Sequence, residues 1–466
     1  MNSLSRTFSK FVGSLNYECL PPGVVDKIKA SLLHALIISI VGASTRQGRA
    51  TIDFVKELEA KSDGMTILVD GSRATCFGAA FANSMLLRDT DQVDSYRMLI
   101  HPGCCVIPAG LAVAEWCGKS GKDLLCALVA GYEVETRIAS DFIPSTQARG
   151  FRASPVYGTL GAAVTAGKLL GLTEDQLVTA IALACSFAGG TNEGPRSGGR
   201  ERIFHEPNAT RNGIMAALLA RGSLRGSEAA LEGDAGFYNA FVGNNRGKLS
   251  YAFMGQKQAS LDAVGTELGT RWELMHIMLK IYPTTGYNCP VIDLMAQLRA
   301  RYDMPAADIT EIEIDMNWLE TLYPSPAFPR PEFNTPGIGS THYYAAYTCI
   351  YGSYPPLKPR VEAGEKSSGE APEVMDLLGR VRIVGHQNRP AFAPRITVRM
   401  RDGATYQNEL RGDEMEWDLD TETRQIRTLF DHLPWEKDKL EAIIKSVAEL
   451  EHFSQVDSLI QSCVKE

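Results

Sequence analysis

The sequence predicts a mainly α protein, in which a large all-helical domain, a helical bundle, carries an inserted smaller α+β domain. From residue 22 to about 267, apolar residues recur at the three and four spacing of amphipathic helices. After about residue 268 the spacing alternates as in strands, and from Glu422 the helical spacing returns. We therefore expect residues 1–267 and 412–466 to form the helical domain and residues 268–411 to form the α+β domain.

Size and composition limit the class of protein. At 466 residues the chain exceeds what one hydrophobic core usually serves. A net charge of -8 argues against nucleic acid or an anionic membrane as partner. The ten cysteines lack metal-site spacing, and the first letters, MNSLSRTFSKF, lack the apolar core of a secretory signal. We therefore expect a reduced, cytoplasmic protein.

Helix signals are strongest in the first domain. Ser120 with Asp123, and Thr173 with Gln176, each place a hydroxyl three residues before an acid or amide, as a capping box requires. The run LLHALIISIVGAS is too short to cross a bilayer and is predicted to be a buried helix. Small residues in VYGTLGAAVTAGKLLG predict a close approach by another helix. Because no phosphate-binding glycine motif follows a strand, we exclude Rossmann and P-loop functions.

The second domain mixes helices and strands. We predict helices from Tyr287 to Tyr302 and around Thr341 to Gly352, a strand from Ile309 to Met316, and strands in GRVRIVG and ITVRMRDGATYQNEL. The last segment contains a turn at Arg-Asp-Gly and is expected to form a hairpin. Residues 357 to 373 are predicted to be a polar, mobile loop.

The stretch DTDQVDSYRMLIHPG gathers groups that could build a site. Asp89, Asp91 and Asp94 lie within six positions, and His101 follows just before a helix opened by Pro102. The same letters, taken alone, are also typical of a solvated loop between two helices. Most of the other histidines lie in ordinary structural settings, as His34 does within an apolar helix, and His205 is the second exception.

Basic residues gather in two other segments. GGRERIFHEPNATRNG surrounds His205 with arginines, including Arg202, whose planar forks suit carboxylates. In LKIYPTTG, Lys280 lies in an apolar run, where partial desolvation would suit an anchor for an acid or a base. The alternatives are a solvated basic loop and a surface lysine.

The order of these segments resembles the MmgE/PrpD family, whose members include 2-methylcitrate dehydratase, cis-aconitate decarboxylase and iminodisuccinate epimerase. LRDTDQVDSYRMLIHPG is followed by GYEVETRIA, RGFRASPVYGTLGAAVTAGKLLGL, RERIFHEPNATRNG and LKIYPTTGYNCPVIDLM, at compatible spacings over nearly the whole chain. The resemblance implies a helical domain carrying an α+β lid, with the active site in the cleft between them. It also implies a homodimer that needs no organic cofactor.

The resemblance also implies individual site positions. The acidic-loop positions that line the decarboxylase site fall on Asp91, Asp94, Ser95 and His101. The lysine of the lid junction falls on Lys280, and the lid tyrosine falls on Tyr344. The chain departs from the usual residues at four positions, with Ser95 for Thr, Arg152 for His, Arg202 for Lys and Thr285 for His. Two candidate imidazoles are thereby lost, so proton transfer falls on His101, Lys280 and Tyr344.

The reactions of this family share a negative charge that develops on a carbon beside a carboxylate. Fixed cations stabilise that charge, and a group of matched pKa moves the proton. We predict a carbon-oxygen hydro-lyase that dehydrates a 2-methylcitrate-like or alkylcitrate substrate. The alternatives are a cis-aconitate-type decarboxylase, an iminodisuccinate-type epimerase, and a catalytically silent dimer that binds a polyanion.

The predicted roles divide between catalysis and binding of a polycarboxylate. The predicted catalytic residues are His101, Lys280, Tyr344 and Asp91. The predicted substrate-binding residues are Asp94, Ser95, Arg152, Arg202, His205 and Thr285. We expect a metal-free site, since Cys104 and Cys105 are adjacent and no third cysteine stands at the spacing of an iron-sulfur cluster.

Overall fold

The computed structural model describes residues 3–330, 332, 335–355 and 371–465 of the chain. In chain order the helices are α1 Leu4–Ser14, α2 Pro22–Ala43, α3 Arg46–Glu59, α4 Cys76–Arg88, α5 Gly103–Trp116, α6 Gly121–Ala139, α7 Ile143–Ala148, α8 Ala153–Leu169, α9 Glu174–Phe187, α10 Glu193–Ser197, α11 His205–Ala220, α12 Phe237–Phe241, α13 Leu261–Val264, α14 Asn288–Arg301, α15 Thr341–Tyr351, α16 Pro372–Leu378, α17 Leu419–Arg427, α18 Lys437–Ala448 and α19 Asp457–Ser462. The strands are β1 Ala60–Thr66, β2 Arg73–Ala74, β3 Ile309–Asn317, β4 Val381–His386, β5 Arg395–Met400 and β6 Thr405–Glu409. The predicted mainly α class is confirmed.

The chain divides into two compact units. Unit 1 contains Met1–Ser250, Lys257–Ile281 and Glu416–Glu466, and unit 2 contains Tyr251–Gln256 and Tyr282–Met415. The boundary predicted at residue 268 lies at Ile281 instead. The reason is that Ser95 and Met278 exchange backbone hydrogen bonds of 2.9 and 2.8 Å, which tie the segment before Ile281 to unit 1.

Helix α8 lies at the centre of unit 1, where it packs against α5, α6, α9 and α11. Its small residues permit these contacts, because a Cβ at Gly158 would lie 2.5 Å from the Cys105 sulfur. A Cβ at Gly161 would collide with the Glu135 carboxylate on α6. The predicted close packing of this helix is therefore confirmed.

The two predicted capping boxes are also present. The Ser120 side chain accepts from the backbone N–H of Asp123 at the start of α6, and the Asp123 carboxylate accepts from the Ser120 N–H. Thr173 and Gln176 make the same reciprocal pair at the start of α9. These local bonds satisfy amide groups that a helix start leaves without partners, so the positions can be predicted from sequence.

Unit 1 is not all-helical, contrary to the prediction. Strands β1 and β2 form a small antiparallel sheet between α3 and α4, within the stretch from residue 22 to 267 that was expected to be helical. In residues 222–260, all of them described, α12 is the one α-helix. Seven glycines fall in this stretch, and their conformational freedom favours turns over a continuous helix.

Unit 2 is built around a four-stranded sheet in the order β4-β3-β5-β6. Strand β3 pairs in parallel with β4 and antiparallel with β5, and β5 and β6 form the predicted hairpin. Along β3, Ile312 and Ile314 are fully buried between partners on both sides. Helices α14 and α15 pack against each other beside this sheet. The predicted helices and strands of this unit are confirmed to within two residues at each end.

Most of the polar loop predicted at residues 357 to 373 lies outside the described residues, and Pro372 begins α16. Within the part of the chain that the structure describes, no helix has the length and apolar character needed to span a bilayer.

Candidate active site

The acidic loop, defined as residues 89–101, connects α4 to α5 and carries Asp91 in an unusual backbone conformation. Its φ of +56° lies in the left-handed region, which residues with a Cβ rarely adopt. The Asp91 carboxylate accepts a hydrogen bond of 2.8 Å from Arg88, the last residue of α4. Surrounding contacts therefore hold Asp91 in a conformation that the free chain would seldom populate.

Two distant basic residues meet Asp91. Arg202 forms an ion pair of 3.4 Å with Oδ1 of Asp91, and Lys280 donates a hydrogen bond from Nζ to the Asp91 carbonyl oxygen. Lys280 is 2% exposed, so the predicted partly desolvated lysine is observed and the surface alternative is wrong. The structure thus brings together Asp91, Arg202 and Lys280, as predicted.

His101 lies at the end of the acidic loop, where α5 begins. Its Nδ1 lies 2.7 Å from the carbonyl oxygen of Asp94 and 3.3 Å from the Ser95 hydroxyl. Because a carbonyl oxygen can only accept, Nδ1 carries the hydrogen and Nε2 carries the lone pair. The backbone N–H of His101 donates to the Ser154 hydroxyl, which ties the residue to α8. The ring is therefore oriented with a basic nitrogen available for proton transfer.

The protonation state of His101 follows from its surroundings. Burial lowers the pKa of His101 well below the ordinary histidine value, and the Arg88 cation adds to this effect. Arg152 and Lys280 lower this pKa further, while the Glu206 carboxylate opposes them. His101 is consequently neutral near pH 7 in the unliganded protein.

Asp94 and Ser95 support His101 through their positions in the loop. The Asp94 carboxylate accepts from the backbone N–H of Gly103 at 3.0 Å and from the Tyr132 hydroxyl at 2.8 Å. A Cβ at Gly103 would lie 2.8 Å from that carboxylate, so this close approach requires glycine. Asp94 and Ser95 are both buried, and their hydrogen bonds hold the start of α5 and the imidazole in place. The substrate contact predicted for them stays a prediction.

A buried carboxylate that sequence reasoning missed organises the arginines. Glu206, in the first turn of α11, forms ion pairs with Arg152 at 2.5 Å and with Arg88 at 3.3 Å. All three side chains are at least nine-tenths buried. We call the set formed by Arg88, Asp91, Arg152, Arg202, Glu206 and Lys280 the charge cluster.

The ionisation of Glu206 follows from these pairs. Burial by itself would raise the pKa of Glu206, but the Arg152 and Arg88 cations outweigh it and hold this pKa at about 2. The carboxylate is therefore charged near neutral pH. A buried charge of this kind is tolerated only because it is paired.

The other basic residues of the segment GGRERIFHEPNATRNG contact different partners. His205 begins α11, its Nδ1 is buried, and burial together with Arg152 lowers its pKa. Arg200 pairs with Asp89 at 3.0 Å, and Arg211 pairs with Glu59 at the end of α3. Arg202 joins the charge cluster, whereas the gathering of Arg211 around His205 that the sequence suggested is not observed.

A series of buried hydrogen bonds holds the acidic loop in place. His34 donates from Nε2 to the Gln92 carbonyl oxygen at 2.7 Å, and its Nδ1 lies 2.8 Å from the Glu422 carboxylate. The Gln92 side chain donates to the Ile281 carbonyl oxygen at 2.6 Å. Burial lowers the pKa of His34, but Glu422 outweighs it and raises the pKa above the ordinary value. These hydrogen bonds link α2 and α17, through Gln92, to the segment that carries Lys280.

Thr285 and Tyr344 belong to unit 2. Thr285 accepts a hydrogen bond of 2.9 Å through its carbonyl oxygen from Asn288, the first residue of α14. Tyr344 lies on α15, is 9% exposed, and stacks on Tyr354 with ring centroids 5.6 Å apart. Their predicted roles at the site stay predictions.

The residues that sequence reasoning missed have weak signals of their own. Arg88 and Gln92 flank the acids in LLRDTDQVD, and Glu206 follows His205 directly. The available signal for each was that a charged or amide side chain stands next to a candidate site residue in the sequence. The pairs that build the site join residues as far apart as the 54 positions between Arg152 and Glu206 and the 189 between Gln92 and Ile281, however, and no local pattern indicates such pairs.

The arrangement suits proton transfer on an anionic substrate. A neutral imidazole with a free lone pair lies near basic groups that can hold carboxylates. Among the described residues, no group of three or more His, Cys, Asp or Glu side chains is placed to hold a metal ion.

Comparison with known proteins gives one family. Residues 6–250 match the MmgE/PrpD N-terminal domain. The chain is 26% identical over 434 residues to the cis-aconitate decarboxylase-like protein oryM of Aspergillus oryzae, covering 87% of this chain and 85% of that protein. It is 25% identical over 489 residues to cis-aconitate decarboxylase of Homo sapiens, covering 99% and 95%. It is 27% identical over 304 residues to cis-aconitate decarboxylase of Aspergillus terreus, covering 63% and 59%. The matched region spans more than half of this chain. The chain therefore belongs to the MmgE/PrpD family.

Proposed function

We propose that this protein is a lyase that acts on a polycarboxylate and moves a proton at a carbon beside a carboxylate. The observation that carries the proposal is the orientation of His101, whose Nδ1–H is bound to the Asp94 carbonyl oxygen while Nε2 keeps its lone pair. The Arg152 and Lys280 cations both lower the pKa of His101, which supports placing the imidazole and the charge cluster at one site. Cations there stabilise the charge that forms on the reacting carbon.

Decarboxylation is the first candidate reaction, because the three relatives described above are named for it. In this reaction the bond between the carbon and one carboxylate breaks, and carbon dioxide leaves. The electron pair remains on the carbon and spreads toward a second carboxylate, which Lys280 or Arg202 would hold. His101, having taken up a proton, then delivers it to the carbon.

Dehydration is the second candidate, and the neutral state of His101 favours it. Nε2 would take the proton from the carbon beside a carboxylate, and hydroxide would leave with a proton from an acid, as water. Tyr344 is the proposed acid on the family resemblance alone. For dehydration, the proposed substrate is the 2-methylcitrate-like compound or alkylcitrate that was predicted for a hydro-lyase.

Product analysis in deuterated water tests the proposal. Purified protein is incubated with cis-aconitate, citrate, 2-methylcitrate, iminodisuccinate and the dicarboxylate citramalate, and products are followed by NMR and mass spectrometry. Loss of carbon dioxide with one deuterium gained identifies decarboxylation, and loss of water identifies dehydration. Deuterium exchange with neither loss identifies epimerisation and overturns the lyase proposal. Neither turnover nor exchange on any compound overturns it in favour of the silent, polyanion-binding reading.

A homodimer remains a prediction of the family resemblance. Light scattering coupled to size-exclusion chromatography tests it directly. A dimer would give about twice the chain mass of 50.9 kDa, and the mass of one chain would contradict the prediction.

A further inference from the structure

Most of the exposed apolar side chains of unit 1 belong to two helices that are neighbours of α4. Helix α4 packs against α3 and against α11. Among the described residues of unit 1, seven large apolar side chains are exposed. Five of them belong to α3, to α11 or to the turn just before α11, namely Phe54, Leu58, Phe204, Met215 and Leu219. Single exposed apolar residues are ordinary on a protein surface, but a concentration of them indicates a binding surface.

Side-chain contacts over α4 join the two helices. Phe204 stacks on Phe81 of α4, with ring centroids 6.3 Å apart. The Arg211 guanidinium of α11 lies 5.5 Å from the centre of the Phe81 ring and forms an ion pair of 3.1 Å with Glu59, the last residue of α3. A Cβ at Gly78 of α4 would lie 2.9 Å from the Glu59 carboxylate. The ion pair therefore lies against α4 and connects α11 to α3.

The exposed residues extend from this ion pair along both helices. Met215 and Leu219 follow Arg211 at intervals of four residues, which places all three on one side of α11. On α3, Leu58 lies next to the ion pair in the chain, and Phe54 lies one turn before it. We call this set the apolar face, and it consists of Phe54, Leu58, Glu59, Phe81, Phe204, Arg211, Met215 and Leu219.

The apolar area of this face fits a contact between two proteins. Its five exposed apolar residues are each between 37% and 63% exposed. At about 200 Å² for a residue of this size, they present roughly 450 Å² of apolar surface. A stable interface buries about 800 Å² on each partner, of which somewhat more than half is apolar. The apolar face therefore supplies the apolar area that one partner contributes to a stable dimer.

The charges of the face favour a second copy of this chain as the partner. Two copies that meet about a twofold axis place the same surface against itself, so that surface has to be complementary to itself. Apolar residues meet this condition, and Arg211 with Glu59 supplies one charge of each sign. Because the chain carries a net charge of -8, two copies repel each other through most of their surface. A face with a balanced pair of charges lets them approach.

We infer that the apolar face is the surface through which two copies of this chain associate. The inference goes beyond the dimer that the family resemblance predicts, because it names the residues in contact. It does not depend on which reaction the protein catalyses. Phe204 precedes Glu206 by two residues, and α4 ends at Arg88. Association would therefore stabilise the helices that hold the ion pair of Arg88 and Glu206.

Surface substitutions test the inference. The full-length protein is measured by light scattering coupled to size-exclusion chromatography, and the wild-type mass should be about twice 50.9 kDa. Met215→Lys and Leu219→Lys should each give the mass of one chain, because an unpaired charge buried in the contact weakens association at least about a hundredfold. Leu224→Lys changes a similarly exposed apolar residue outside the face, beside Thr179 of α9, and should remain dimeric.

Brief oxidation with dilute hydrogen peroxide gives a second measurement that needs no variant. Peroxide converts an exposed methionine to its sulfoxide, which mass spectrometry locates. Met215 and Met375 are similarly exposed in the single chain, at 37% and 43%. Because Met375 is not part of the apolar face, Met215 should react several-fold more slowly than Met375 in the wild-type dimer. In monomeric Leu219→Lys the two rates should be similar.

Each outcome has a consequence. A wild-type protein with the mass of one chain overturns the inference together with the predicted dimer. Dimers that persist in both lysine variants of α11, or equal oxidation of Met215 and Met375 in the dimer, overturn the inference while the predicted dimer stands. Loss of the dimer in Leu224→Lys as well overturns the assignment to this face. Where circular dichroism shows that a variant is unfolded, the oxidation of the wild-type protein decides.

Discussion

The ammonium group of Lys280 donates a hydrogen bond to the backbone carbonyl oxygen of Asp91, 189 residues earlier in the chain. The contact joins a segment before the unit boundary to the acidic loop between α4 and α5. The Lys280 cation also lowers the pKa of His101, and the carbonyl that it binds belongs to Asp91, the residue with the positive φ.

Replacing Lys280 by Met should lower kcat/KM by roughly a hundredfold, because a preorganised cation near the developing charge is lost. Steady-state kinetics on the substrate identified by product analysis measures the loss. Lys168→Met is the matched control, since Lys168 also donates to backbone carbonyl oxygens but joins α8 to residues 12 and 15. Equal losses in both variants would show that Lys280 acts only through stability.

His101→Gln should reduce kcat by at least about a hundredfold while the protein stays folded. The backbone N–H that bonds Ser154 is unchanged by this substitution, so the start of α5 should persist. His432→Gln, at an exposed position, should keep full activity. Turnover near the wild-type rate in His101→Gln would remove His101 from the mechanism.

The pH profile of kcat/KM should contain a midpoint below the ordinary histidine pKa of about 6.5, because burial and then Arg88 lower the pKa of His101. If His101 takes a proton from the substrate, activity rises with pH through this midpoint. If it delivers a proton, activity falls as pH rises through the same midpoint. The midpoint should vanish in His101→Gln, and a histidine-dependent midpoint above 6.5 contradicts the assignment.

Arg152→Met should destabilise the protein by about 3–5 kcal/mol, because Glu206 loses its nearest partner in a buried position. Urea unfolding followed by circular dichroism measures the change. Since the pKa of Glu206 falls from 4.5 to about 2 on folding, its favourable contribution is complete above pH 4.5 and is lost as pH falls toward 2. The deficit in Arg152→Met should therefore shrink on acidification. A constant deficit over this window would mean that the pair is not its cause.

Gln92→Leu should lower kcat about tenfold, because the buried Ile281 carbonyl oxygen loses its donor and the segment of Lys280 loosens. Gln176→Leu is the control, as Gln176 makes a comparable bond of 3.1 Å to the Arg221 carbonyl oxygen on the surface. Full activity in Gln92→Leu would show that the loop is held adequately by its other contacts.

Local signals explain which elements could be predicted. Ser120 and Thr173 mark helix starts because each bonds an amide three residues away, within one turn. The hairpin of β5 and β6 is likewise a neighbouring pairing around a glycine turn. The small sheet of β1 and β2 was missed because its second strand has only two residues, too few to show an alternation of polar and apolar side chains.

The sequence by itself determined the mainly α class, most helix and strand positions, and the identities of His101, Asp91, Arg202 and Lys280 as candidates. These follow from spacing, capping and the types of side chain. The tertiary structure alone decided which charges pair, since Glu206 on α11 meets Arg88 on α4 and Arg152 just before α8. Pairing of this kind depends on which helix faces are buried together, and a low-dielectric interior rather than chain distance sets its strength.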